Sequence, residues 1–265
     1  MTGNFKRISD FWTDFSANKI ALISLLIFFA IVFVAVFAPI VSPTNPYDLS
    51  SVDIMDSRLP PGSTNYSGQI FLLGTDGAGR DMLSSIFYGL RVSLGVGALS
   101  GVIALTIGSF FGVSAAFFRG KYETIVMRIV DIQLSFPSIL VALIIIAAFG
   151  KGIEKTMIAL ILVQWAYYAR TARASALVEM NKEYIDAARC LAFGNTRIMF
   201  KHILPNCLAP LIVVGTLQTA HAISLEATLS FLGLGLPVTE PSLGLLIGNG
   251  FEYMYSGDFW ISIFP

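Results

Sequence analysis

Residues 20–41 and 92–118 contain no ionisable side chain, and that constrains the fold more than anything else in this chain. A helix needs about 20 apolar residues to cross ~30 Å of hydrocarbon, and in lipid every backbone polar group must be satisfied within the segment. Both stretches meet this requirement. Residues 132–150 are also uncharged and just long enough. Residues 156–169 are shorter and gain reach from Arg170, whose long side chain can snorkel to the interface. Residues 207–231 are apolar apart from His221 and Glu226. The expectation is an all-α polytopic membrane protein with five crossings. A further apolar run at residues 261–265 reads as the start of a sixth, in a chain incomplete at its C-terminus.

Composition agrees. The chain is 55% hydrophobic and 13% charged, which excludes an ordinary water-soluble domain of this length. Its formal net charge is zero, so nothing points to nucleic acid. Three regions follow: 1–41 with the first crossing, 42–91 as an external loop with a short amphipathic helix, and 92–265 as the core. Lys and Arg crowd the loops that share a side with the N-terminus, among them Arg119, Lys121, Arg128, Arg170, Arg173, Lys182, Arg189, Arg197 and Lys201. The positive-inside rule then puts the N-terminus in the cytoplasm. The first run is too long for the apolar region of a signal peptide, and Pro39 follows Ala38 where cleavage wants a small residue. Before it, Phe5, Ile8, Trp12 and Phe15 would line one side of an interfacial helix.

A polar, charge-rich island at 174–206 interrupts the apolar pattern. Read as a helix from Glu183, it places Tyr184, Ala187, Ala188 and Leu191 on one narrow apolar stripe flanked by Glu183, Asp186 and Arg189. Two alanines keep the stripe thin, so a partner could approach the backbone closely. Gly194-Asn195 supplies a helix stop and a new cap, 196–202 a second short helix, and Pro205 the entry to the next apolar run. This island resembles the EAA loop of bacterial ABC importer permeases, the segment that docks into the ATPase subunit. Asp186, Ala187, Ala188, Leu204 and Pro205 stand at matching positions, whereas the family's glycine position is Ala192 and its usual isoleucine is His202.

A second string lies in the external loop. Gly74-Thr75-Asp76, then Gly79-Arg80-Asp81, precede Met82, Leu83, Ile86, Phe87 and Leu90, which form the apolar side of a helix capped by Thr75 or Asp76. It is similar to the LGTD-x-x-GRD-x-L-S signature of the dipeptide, oligopeptide and nickel permeases. The charges read either as a cap with local ion pairs or as a platform for a binding protein, and the two readings are compatible.

Polar groups at membrane depth are costly and draw attention to Glu226, with His221, Gln218 and Gln164 as companions. They line a translocation path, or serve as interhelical hydrogen bonds, or in the case of Glu226 sit at a wet outer edge. Gly97-x-x-x-Gly101 and Gly108-x-x-x-Gly112 read as tight helix packing. No phosphate-binding loop, zinc motif or hydrolase signature is present, and Cys190 and Cys207 are too few for a redox or metal site.

The resemblance implies a permease of the second, C-type kind, not an enzyme, binding no cofactor or metal. It implies ATP and magnesium on two partner ATPases, a homologous second permease, a periplasmic or lipid-anchored substrate-binding protein, lipid contact and a bacterial inner-membrane location. Peptide is the expected cargo, with nickel or another small solute as alternatives. A secondary transporter is a rival class, but no internal repeat supports it.

Overall fold

The structure, a computed structural model, describes residues 13, 15–48, 50, 52–237 and 240–265. Phe5, Ile8 and Trp12 of the expected interfacial helix lie outside these residues. The chain divides into two compact units, the division falling after Arg91.

In the first unit, helix α1 (Lys19–Val36) starts where the Asn18 side chain accepts from the Ile20 and Ala21 amides, which would otherwise lack partners. It is apolar on every side and almost wholly exposed within the chain, as a helix facing lipid should be. The loop that follows holds a 3-10 turn at Ile54–Asp56 and a small hairpin of β1 (Ser63–Thr64) and β2 (Ile70–Phe71), with Ser63 opposite Phe71. Asn65 closes that hairpin by accepting from the Ser67 and Gln69 amides. Turn residues announced a loop here, and the hairpin itself was not anticipated.

Helix α2 (Met82–Phe118) is 37 residues long. Its two glycine pairs face different neighbours. A Cβ at Gly108 or Gly112 would strike the carbonyl oxygens of Trp165 and Ala169 on α5 (Ile153–Glu179). At Gly97 and Gly101 it would meet Ile223 and Thr219 on α7 (Leu208–Phe231). Backbones thus approach closely where lipid offers no hydrophobic drive for association.

The uncharged run at 132–150 is not one straight crossing. It ends α3 (Gly120–Leu134) and then forms α4 (Ser138–Phe149), with a 94° bend between them. Pro137 has no amide hydrogen and disfavours helical backbone at Phe136, so the break falls where the sequence places proline. Among the described residues, α1, α2 and the helical run Asn195–Phe231 are long and apolar enough to cross a membrane, and the bent pair makes a fourth candidate.

Helix α5 runs 27 residues, well past the uncharged window. Thr156, Leu160, Gln164, Tyr168, Ala172 and Ala176, four apart, form its buried stripe. Arg170 does not simply reach for the interface: it pairs with Asp131 at 2.5 Å, and Arg173 pairs with Glu123 at 2.5 Å, tying α5 to α3. After α7 come two short helices, α8 (Leu243–Phe251) and α9 (Trp260–Ile263). The apolar run expected to open a sixth crossing forms part of α9, a single turn.

Candidate functional site

The polar island folds as a compact helical turn. Helix α6 (Glu183–Cys190) carries Glu183 and Asp186 in its first turn and Arg189 in its last, each sign matching the helix dipole. Ile185 and Ala188 are buried, joining Met180, Ile198, Met199, Ile203 and Cys207 in one apolar cluster. Ala187, Asp186, Arg189 and Leu191 are exposed. The expected stripe is therefore corrected: Ala188 faces the chain's own core, and Ala187 with Leu191, four apart, faces outward. The core took the Ile185–Ala188 pair because isoleucine buries far more apolar surface than an alanine beside it.

The helix stops two residues earlier than expected. Ala192 takes a left-handed φ of 54°, and the Phe193 amide returns to the Ala188 carbonyl at 3.2 Å. Ala192 stands where the resembling family carries glycine, the residue that adopts this conformation without steric cost. Gly194 is extended and caps the next turn, so Asn195 is already inside it. Then follow a π-helical turn (Ile198–Ile203) and a 3-10 turn (Leu204–Cys207) before α7, rather than one regular short helix. Pro205 cannot donate to a regular helix, and the Asn206 side-chain amide caps the His202 carbonyl at 2.7 Å. Leu204 packs against the cluster, and Pro205 is exposed.

A polar knot fastens α6 to the end of α5. Glu179 accepts from Lys182 Nζ and from the Tyr184 hydroxyl, both at 2.6 Å. Those two donors, Lys182 first, hold the Glu179 carboxyl below its ordinary range. Burial, and then the hydrogen bond to Glu179, push the Tyr184 phenol upward. Nearby, Arg197 lies 4.0 Å over the Phe193 ring, whose other neighbour is the stacked His202 imidazole. A cavity of about 410 Å³ beside α6 is lined by Phe117, Arg119, Met180, Asn181, Asp186 and Arg189.

The Gly74–Asp81 motif is closed on itself. Thr75 is fully buried; its hydroxyl accepts from the Leu59 amide at 2.7 Å and donates to the Asp56 carbonyl at 2.5 Å. Asp76 accepts from the Ala78 and Arg80 amides, each at 2.9 Å, and pairs with Arg80 Nε at 2.8 Å. Gly74 and Gly79 have positive φ, and a Cβ on Gly79 would collide with the Asp53 carbonyl. The cap of α2 is neither Thr75 nor Asp76: Asp81 accepts from the Ser84 amide at 2.9 Å.

The membrane-depth polar residues are not gathered into one site. Glu226 is completely buried between Ser93 and Ser230, at 2.8 and 2.7 Å, so here it makes one interhelical hydrogen bond, to Ser93, and one within α7, to Ser230, and lines no open path. His221 lies on the exposed face of α7, its Nε2 3.3 Å from Ser138 Oγ. Gln164 is fully buried with both amide atoms unpaired, and Gln218 is half-buried. The partnership of Glu226 with Ser93 and Ser230 went unseen in the sequence; the serine four residues after Glu226 was its one local signal.

These features define a helical, multi-pass membrane protein that presents a short helix on a polar loop. Residues 105–264 match the family described as binding-protein-dependent transport system inner membrane component. Residues 6–61 match the N-terminal transmembrane domain of oligopeptide transport permease C. The chain is 40% identical to the di/tripeptide transport system permease of Pseudomonas aeruginosa over 97% of its length and 84% of that protein's. The dipeptide permeases of Escherichia coli K12 and Haemophilus influenzae are 39% and 32% identical, each over 97% of this chain and 85% and 86% of theirs. A chain of the inward-facing MetNI methionine ABC transporter shares the fold, with a TM-score of 0.55 and 23% identity over 66% of this chain and 83% of that one. The chain belongs to the family of binding-protein-dependent transport system inner-membrane components.

Proposed function

We propose that this chain is the membrane permease subunit of an ATP-driven importer of dipeptides and oligopeptides. It performs no bond chemistry and binds no cofactor of its own. A homologous second permease completes the pathway, and two cytoplasmic ATPases bind and hydrolyse ATP with magnesium. A substrate-binding protein delivers cargo from outside, and the N-terminus lies in the cytoplasm of the inner membrane.

The observation that carries this reading is the split of α6: Ile185 and Ala188 anchor it in the core while Ala187 and Leu191 stay outside. A helix held rigidly from behind transmits force applied to its front. Closure of the ATPases pushes α6, and the knot at Glu179 passes that motion into α5. The names of the relatives support peptide as cargo.

The test is reconstitution with the proposed partner permease, ATPases and binding protein, followed by ATP-dependent uptake of a labelled dipeptide. Uptake that follows a proton gradient without ATPases would sink the importer reading. ATP-dependent uptake of nickel or another solute in place of peptide would sink only the cargo.

A further inference from the structure

Glu226 presents a physical problem that neither docking nor cargo explains. Its side chain is fully inaccessible, and among the described residues no ion pair reaches it. A carboxyl group removed from water and lacking a cation needs hydrogen-bond donors. Ser93 on α2 and Ser230 on α7 provide one to each oxygen. Ser93 in turn accepts, at 3.4 Å, from the amide of Leu243, the first residue of α8. The positive end of that helix therefore points toward the carboxyl group through one hydroxyl.

The chain after α7 turns back to make this contact. Gly244 packs on the Ala227 backbone and Gly248 on Phe231, so α8 advances beside the end of α7 in the same direction. Ser242, fully buried, caps α8 by accepting from the Leu245 amide at 3.2 Å. Three elements meet at one carboxyl group.

We propose that Glu226 is the positioning residue for α8: through Ser93 it seats the amino end of that helix on α2 and α7, so that the three move as one block during transport. The movement rests on the importer reading; the seating does not.

The seating is tested by thiol labelling of Leu246→Cys, a buried position on α8, in the reconstituted complex with Cys190→Ser removing the exposed native thiol. Glu226→Leu and Ser93→Ala should each speed labelling about tenfold, the scale of one lost buried hydrogen bond. Glu226→Gln keeps the shape and a hydrogen bond to each serine, so it should label at the reference rate. A role in bulk packing alone would leave labelling unchanged in Glu226→Leu, since apolar replacements of buried polar groups often pack equally well. Reference-rate labelling in both Glu226→Leu and Ser93→Ala overturns the proposal, as does fast labelling in Glu226→Gln. If Glu226→Leu fails to insert, Ser93→Ala, which removes one hydroxyl, decides alone. Uptake in the same preparations should fall in Glu226→Leu and persist in Glu226→Gln; uptake lost in every preparation, with labelling as expected, would count against the importer reading and leave the seating intact.

Discussion

The Gly74–Asp81 motif and helix α6 are both short, charged and glycine- or alanine-rich, yet they use their residues in opposite ways. In the Gly74–Asp81 motif the polar atoms turn inward: Thr75, Asp76 and Asp81 are all buried and all hydrogen-bonded to nearby backbone. In α6 the apolar atoms turn inward and the charges stay outside. The first is a self-contained brace whose specificity is spent on its own fold. The second is an anchored surface with an unused face. A dense sequence motif therefore does not by itself mark a contact surface; the direction of its side chains decides.

Substitution at the two adjacent alanines breaks or upholds this contrast most sharply. Ala188→Leu overpacks the cluster around Ile185 and Ile203 and should cost about 2–3 kcal/mol, seen as poor recovery of folded protein. Ala187→Leu should leave folding intact and lower ATP-driven uptake instead. Equal effects on recovery would remove the distinction between an inner and an outer face.

The brace predicts a different signature. Thr75→Val keeps the shape but strands the Leu59 amide, at a cost of about 1–2 kcal/mol. Hydrogen exchange should quicken around residues 56–81 and stay unchanged in α6. Faster exchange in α6 with none in the loop would mean that the motif is not a local brace.

Acid should loosen the knot under α6. The folded Glu179 value lies below the ordinary one, so its stabilisation is complete above the ordinary carboxylate range and is lost as pH falls through the lower folded value. Glu179→Gln should therefore flatten the acid limb of thermal stability. An unchanged acid limb would show that Lys182 and Tyr184 do not favour the charged form.

The smallest effect concerns Ala192. Glycine there relieves the left-handed strain but adds freedom to the unfolded chain, for a net gain of about 0.5 kcal/mol. A denaturation midpoint that moves down instead would mean that the left-handed backbone is not strained.

Much of the fold was legible because lipid leaves the chain few options. Uncharged runs of crossing length, paired glycines at 97/101 and 108/112, and the proline at 137 each carry a local physical instruction, although the bend at Pro137 was not drawn from it. The polar island at 174–206 announced itself by charge. Its helix stop did not, since Ala192 has no intrinsic preference for positive φ and takes it only because the Phe193 amide closes on Ala188.

The sequence alone determined that this is a helical membrane protein and which segments carry motifs, because periodicity and hydropathy are local properties. Only the tertiary structure decided which way each motif faces. Ala187 and Ala188 are chemically identical neighbours, and the cluster from α5 and the π-helical turn buries one and leaves the other outside. Glu226 likewise could have lined a path or joined helices. Ser93, more than a hundred residues distant in sequence, settled that by supplying a donor where no water reaches.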